Sequence, residues 1–463
     1  MRLFTRIQNI FFTGIGGIGM SALAEILLQC GYKVSGSDRE LSTITQSLSD
    51  KGATIFRGHA ADNLRDVDVL VYSSAISQDN PELLEARRRN IPIIRRAEML
   101  AEIMHTKYGI AISGTHGKTT TSSLCSEIFI QSGLDPTVVI GGRLKSIQSN
   151  ARLGKGAFFI TEADEFDRSF LALSPTFAVI TSIEADHLDC YADFDDIKST
   201  FLQFASKIPF YGSVICCIDD QTVKEMVAKI SKRTVTYGIT ANAQFHAANI
   251  VYGKTYSQFD VIHEGTKLGT IRIPLLGEHN IKNALAALVT ASEVDIPFKS
   301  VKSALENFNG VERRFELKTS INDILIVDDY AHHPSEVRAT LNSARQLDRK
   351  RIIAVFQPHL YSRTRDFYQE FANALSLADM VIISDIYPAR EQPINGISSD
   401  LIVDAMYQSG HHKTKYIPDK AQIADYLITV IQDHDLVVFM GAGDIWKYED
   451  EFINKIKTTK KQG

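Results

Sequence analysis

Short apolar runs alternate with longer segments of helical periodicity along most of this chain. Ile10-Phe-Phe-Thr13 predicts a buried strand, Ile18 to Cys30 a helix closed by Gly31, and Tyr32 to Ser35 the next strand. Val67 to Tyr72 predicts another strand, and Pro81 to Asn90 a charged helix. Strands are again predicted at Ile110 to Ile112, Val138 to Ile140, Ala157 to Ile160, Phe177 to Thr181 and Val214 to Ile218. Past residue 313 the pattern resumes with Ile324 to Val327, Ile352 to Phe356, Val381 to Ser384 and Leu436 to Met440. Strand and helix in alternation imply α/β folding with parallel sheets. Between residues 249 and 274 the runs are shorter and alternate in polarity, as in antiparallel strands on a flank. Leu276 to Leu288 then predicts an Ala/Leu helix behind Gly277.

At 463 residues the chain has room for about three domains. The expected divisions are 1–104, 105–312 and 313–463. Hydrophobic residues at 44% and charged residues at 23% suit ordinary globular cores. A net charge of −5 gives no sign of nucleic-acid binding. There is no apolar run long enough to cross a membrane and no signal-peptide pattern at the N-terminus. Five cysteines without a C-x-x-C pair suggest reduced thiols, so a cytoplasmic protein is expected.

The candidate chemistry sits where predicted strands end. Gly114-Thr115-His116-Gly117-Lys118-Thr119-Thr120 follows one strand and opens a helix bearing Leu124, Cys125, Ile128 and Phe129 on one side. Backbone N–H groups and a helix N-terminus can cradle phosphate, with the lysine as a point charge and a threonine hydroxyl in reach of Mg²⁺. The strict G-x-x-x-x-G-K-[ST] template is not met, because Ile112 replaces its first glycine. Gly14-Ile15-Gly16-Gly17-Ile18-Gly19, with Asp38 after the second strand, matches a dinucleotide fingerprint. It specifies the diphosphate of a nucleotide more securely than it specifies NAD, so a dehydrogenase stays open on this feature alone. Two further strands run into acids, Glu162-Ala-Asp-Glu165 and Glu184-Ala-Asp-His187. In a parallel sheet these lie on the rim that carries Lys118 and Thr119, where carboxylate, imidazole and hydroxyl suit Mg²⁺. His279, Asn280 and Asn283 open the Ala/Leu helix, and the two asparagines share a face on which an amide can meet an adenine edge.

Taken in order, these motifs resemble the Mur ligases. Arg313-Arg314-Phe315, Asp328-Asp329-Tyr330, His332-His333-Pro334 and Gln357-Pro358-His359 complete the set, which spans about residues 8–447. The resemblance is narrowest to members that add the first amino acid to UDP-N-acetylmuramate. It implies a Rossmann-like N-terminal domain for the UDP-sugar, a P-loop-type mixed-sheet central ATPase domain, and a Rossmann-like C-terminal domain that helps hold L-alanine. It implies ATP and Mg²⁺, with an acyl phosphate on the lactyl carboxylate that the alanine amine then attacks. Gly14, Gly16, Gly17, Ile18, Gly19, Asp38 and Ser74 would hold the UDP-sugar. Gly114 to Thr120 would hold the nucleotide phosphates, Lys118 clamping the β/γ pair, with His279, Asn280, Asn283 and Asp329 also on the nucleotide. Thr119, Glu162 and His187 would hold the metal. Arg313 or Arg314 would meet the transferring phosphoryl, while Asp329, Tyr330, His332, His359 and Arg363 would line the alanine side. The assembly expected is a monomer or a homodimer. Two departures stand out: Leu360 follows Gln-Pro-His where many such enzymes have arginine, and Phe201 stands where sibling ligases carry a carbamoylated lysine. A sibling that joins whole peptides, or a later amino acid, to the UDP-sugar is the nearest alternative.

Overall fold

The computed structural model describes residues 4, 6–186, 190–321, 323–389 and 391–459. Three sheets account for nearly all the predicted strands. By contact the chain divides into two compact units: one reaches Ile250 and takes in Gln258–Ile273 and Asn280–Asn309, and the other comprises Val251–Ser257, Pro274–His279 and the chain from Gly310.

The first unit holds two sheets. Its N-terminal sheet runs in the order Thr54–Arg57, Lys33–Asp38, Asn9–Thr13, Val69–Tyr72, Ile93–Arg95, with every pair parallel. Chain order reverses beside Asn9–Thr13, which opens a crevice at the strand ends where ligands of such sheets bind. The helix Ile18–Gln29 packs its Leu23, Ile26 and Leu27 into the core beneath.

The second sheet has ten strands. Thr234–Gly238, Ser213–Cys217, Phe177–Ile180, Tyr108–Ser113, Phe158–Glu162 and Thr137–Leu144 pair parallel in that order. Ser149–Arg152 closes one edge antiparallel. On the other edge Phe245–Tyr252, Ser257–His263 and Thr266–Ile273 follow in sequence. The last two are joined by only Glu264 and Gly265, both at positive φ (45° and 79°), a turn that fits an antiparallel hairpin. Five cysteines are free, and Cys30, Cys125, Cys216 and Cys217 are buried.

The second unit carries a six-stranded sheet in the order Glu316–Ile321, Ile324–Asp329, Asp435–Met440, Arg351–Phe356, Met380–Ile383, Thr414–Tyr416. Only the first of these pairs is antiparallel. Met440 is level with both Asp329 and Phe356, so the polar residues that follow these strands share one rim. Among the described residues no helix is long and apolar enough to cross a membrane.

Candidate active site

The first glycine turn is built on backbone approach. Gly14 takes φ +83°, and its N–H and that of Ile15 both donate to the Ser37 carbonyl, at 2.8 and 3.0 Å. The carboxylate of Asp38 accepts the Gly16 N–H at 2.8 Å, and a Cβ on Gly16 would strike that same oxygen. Gly17 caps the helix without a side-chain bond, Ile18 is half exposed, and Gly19 faces the Arg96 side chain. Ser74 is exposed just beyond the strand Val69–Tyr72. Turn and helix N-terminus thus come together at one corner, where the Asp38 carboxylate takes the Gly16 N–H.

The second glycine loop follows Tyr108–Ser113 and starts the helix Lys118–Gln131. Gly117 is left-handed at φ +82°, and its missing Cβ leaves room for Asn283 Oδ1, which would sit 2.5 Å from one. No side chain caps this helix at Gly117. The Thr115 N–H donates to the Ser182 carbonyl and the His116 N–H to the Ser182 hydroxyl, which pins the loop to the end of the neighbouring strand. The His116 imidazole lies 3.2 Å from Glu184.

Lys118 does not project into solvent. Its ammonium donates to the Gly114 carbonyl at 2.7 Å and to both oxygens of Glu165, at 2.9 and 2.8 Å. Burial works against the charge, but Glu165 and Asp164 more than offset it, so the lysine stays protonated well past neutral pH. Tyr191 donates its hydroxyl to the Glu165 carbonyl, and the Arg168 guanidinium covers the Tyr191 ring at 4.9 Å. Asp167 and Arg168 are consecutive left-handed residues at φ 50° and 60°, a costly geometry for residues with a Cβ.

Glu162 stands beside Ile112 across the sheet, level with the start of the loop. Its carboxylate accepts the Gly141 N–H at 2.6 Å and the Ser122 hydroxyl at 3.4 Å. Thr119 is nearly buried in the first helical turn, with Thr120 next to it partly exposed. His187, expected as a metal ligand, lies outside the described residues. Asn280 and Asn283 share a face as expected, but their amides engage each other at 3.1 Å, and Asn283 also accepts from Thr121 at 3.2 Å. They tie the start of their helix to the first turn of the helix Lys118–Gln131. His279 is in the first turn of the helix Glu278–Ser292, beside Gly277. Phe201 is fully buried among Phe170 and Phe204.

In the second unit the rim gathers the remaining candidates. Asp329 accepts N–H groups of Phe315 at 2.7 Å and Ala331 at 2.8 Å; burial pushes its carboxyl up to about 6 against the opposing pull of Arg314. Arg313 donates to Asp328 at 3.2 Å and to the Gly441 carbonyl at 2.6 Å, and its own carbonyl accepts the Tyr330 N–H at 2.8 Å. The guanidinium groups of Arg313 and Arg314 lie 4.9 and 5.2 Å from the Tyr330 ring centre. His332 pairs with Glu336 at 3.2 Å and meets the His359 ring edge-on at 5.6 Å. Arg363 approaches His359 at 3.5 Å. Leu360 is buried and holds φ +71°, so its side chain fills core where an arginine would need water or a partner.

Sequence reasoning assigned no role to Glu165, Ser122 or Gly141. Glu165 stood within a quoted acidic motif, but only the fold turns its carboxylate back onto Lys118. Ser122 and Gly141 carried no signal, since a helical serine and a strand glycine are common.

Three family models match: the Mur ligase family catalytic domain over residues 9–108, the Mur ligase middle domain over 112–291, and the Mur ligase glutamate ligase domain over 313–443. The chain is 51% identical over 445 residues to the UDP-N-acetylmuramate–L-alanine ligase of Syntrophotalea carbinolica, covering 96% of this chain and 97% of that one. Among solved structures, the UDP-N-acetylmuramate-alanine ligase of Thermotoga maritima superposes with a TM-score of 0.84 at 28% identity, over 98% of this chain and 100% of the other. A murein peptide ligase of Psychrobacter arcticus shares the fold at a TM-score of 0.73 and 24% identity, over 97% and 98%.

Proposed function

The chain belongs to the Mur ligase family, and from that premise we propose that it joins L-alanine to the lactyl carboxylate of UDP-N-acetylmuramate at the expense of ATP, in peptidoglycan precursor synthesis. Near-full-length relatives at about half identity carry that activity in their names, which favours alanine over a peptide as the incoming amine. A nicotinamide-dependent reaction would leave the second glycine loop without a purpose. The observation that carries the ATP-dependent reading is Lys118, held at the mouth of a left-handed glycine turn with an uncapped helix N-terminus behind it.

A carboxylate is a poor acyl donor because oxide is a poor leaving group, and phosphorylation supplies a better one. The protein's task is to position and neutralise charge. Gly114 to Thr120 would wrap the nucleotide phosphates, with Lys118 on the β/γ oxygens. Glu162 presents carboxylate oxygens beside the loop, and Thr119 supplies a hydroxyl. Hard oxygen donors of this kind fit Mg²⁺, with His187 as the further expected ligand. Magnesium there would spread the developing phosphate charge. The glycine turn at 14–19, with Asp38 and Ser74, would seat the UDP-sugar. His279, Asn280, Asn283 and Asp329 would serve the nucleotide, and Arg313 or Arg314 the transferring phosphoryl. Tyr330, His332, His359 and Arg363 would orient alanine. The amine must reach the acyl phosphate before water does.

Phosphate release requiring ATP, UDP-N-acetylmuramate and L-alanine together, with amide product formed in equal amount, is the expected result. Free alanine should outcompete glutamate and a tripeptide. Lys118→Ala should abolish ligation, a loss of at least ~10³-fold on the scale of a removed phosphate-stabilising charge, while UDP-sugar affinity stays near normal. Turnover surviving in that variant would contradict the assignment.

A further inference from the structure

Behind Arg313 lies a pair of acids that the proposed reaction does not use. Asp328, at the end of its strand, is 1% exposed, and Glu449, in the first turn of the helix Trp446–Thr459, is 0% exposed. Asp328 receives Arg313 on Oδ2 at 3.2 Å. Its Oδ1 and both oxygens of Glu449 have no hydrogen-bond partner among the described residues. The charged groups acting on the pair come from one strand, one helix and the segment that leads into that strand. Glu316 and Lys318 lie on the edge strand and approach each other at 4.0 Å, Asp450 follows Glu449 on its helix, and Arg313 precedes the edge strand.

Two carboxylates in so dry a setting, with one guanidinium bonded to only one of them, do not both ionise at neutral pH. The arginine settles which one does. We propose that Glu449 is a positioning residue which stays protonated, so that Asp328 stays anionic and keeps Arg313 clamped beneath Tyr330. The arginine clamp in turn fixes Tyr330, through the Arg313 carbonyl and the guanidinium over its ring. This inference rests on the reading of Arg313 and Tyr330 as part of the ligase site. Burial first, and the Asp328 charge second, push the Glu449 carboxyl up to about 8, with Lys318 opposing. The clamp therefore works below that pH, and above it a second buried anion repels Asp328 and competes with it for Lys318.

The sign for stability follows from linkage. Glu449 holds its proton more tightly folded than unfolded, so stability falls as pH rises from the unfolded value near 4.5 to about 8 and is level beyond.

The test compares the full-length wild type with Glu449→Gln, which is isosteric and neutral. Infrared difference spectra of the wild type should show a neutral-acid carbonyl band that disappears with a midpoint near pH 8 and is missing from the variant. Wild-type kcat should fall several-fold more between pH 7 and pH 9.5 than that of the variant, with KM for ATP unmoved. The Tm of the wild type should drop by several degrees from pH 5 to pH 9 relative to the variant. If Glu449→Gln does not fold, Glu449→Met provides the same comparison. A wild type without the band, or kcat profiles that superpose, overturns the proposal. A wild type that ligates no alanine would instead overturn the proposed function, and the infrared titration would still decide whether Glu449 holds the proton.

Discussion

Lys118 keeps its charge in a nearly buried site by donating to both oxygens of Glu165. Its place after a glycine turn was legible, because a Gly-Lys-Thr opening a helix is uncommon outside phosphate sites. Its partner was not, since the bond to Glu165 depends on a turn that follows another strand, 47 residues away. That bond carries a consequence. In the absence of nucleotide, Glu165→Gln would leave a nearly buried ammonium with carbonyl partners and the more distant Asp164 carboxylate at 3.9 Å, and the loss stays below the roughly 3–5 kcal/mol of a fully broken buried pair. Thermal denaturation should show Glu165→Gln well below the wild type when both are ligand-free. Saturating ATP should recover much of the gap by returning anionic oxygens to Lys118. Equal deficits with and without ATP would show that Glu165 serves something other than the lysine. Asn280 and Asn283 teach a similar lesson. Their shared face was legible from spacing, but the present use of their amides on each other and on Thr121 was not.

At the level of elements, the buried strands were the easiest to foresee. Ile110 to Ile112, Phe177 to Thr181 and Leu436 to Met440 lie between other strands and need apolar residues on both faces. The strands without signal are short or lie at edges. Glu316–Ile321 leaves Leu317 more than half exposed, and Thr54–Arg57 and Ile93–Arg95 have no fully buried residue. Their polar faces look like loop until pairing is known. The junction of strand, glycine loop and helix at 113–118 is where conformation is most tightly specified. Gly117→Ala would force a Cβ into a left-handed residue and against Asn283 Oδ1. A loss of about 1–3 kcal/mol in stability is expected. ATP affinity should also weaken, by at least ~10-fold, because the loop must shift to relieve the clash. Calorimetric titration of the variant checks this, and unchanged affinity would mean that the loop tolerates the methyl group.

For the molecule as a whole, the alternation of strand and helix was enough to give three α/β blocks, and the order of motifs was enough to suggest the family. Strand order was not available from one sequence, because pairing partners are set by packing. The same packing leaves the chain with internal clocks. Cys125 sits two turns into the helix that begins at Lys118, sealed in the core with its thiol pushed up to about 12 by burial. An alkylating reagent needs a thiolate and a path to it, so Cys125 reacts only in the moments when its helix opens. A ligand gripped by the N-terminus of that helix makes such moments rarer in proportion to its occupancy. Mass-spectrometric labelling should therefore slow at Cys125 when ATP and Mg²⁺ are added, with less change at Cys30 in the N-terminal sheet's core. Equal protection at both would indicate a global effect, and none at Cys125 would leave the helix uninvolved. A residue with no part in the chemistry would in this way time the arrival of the nucleotide.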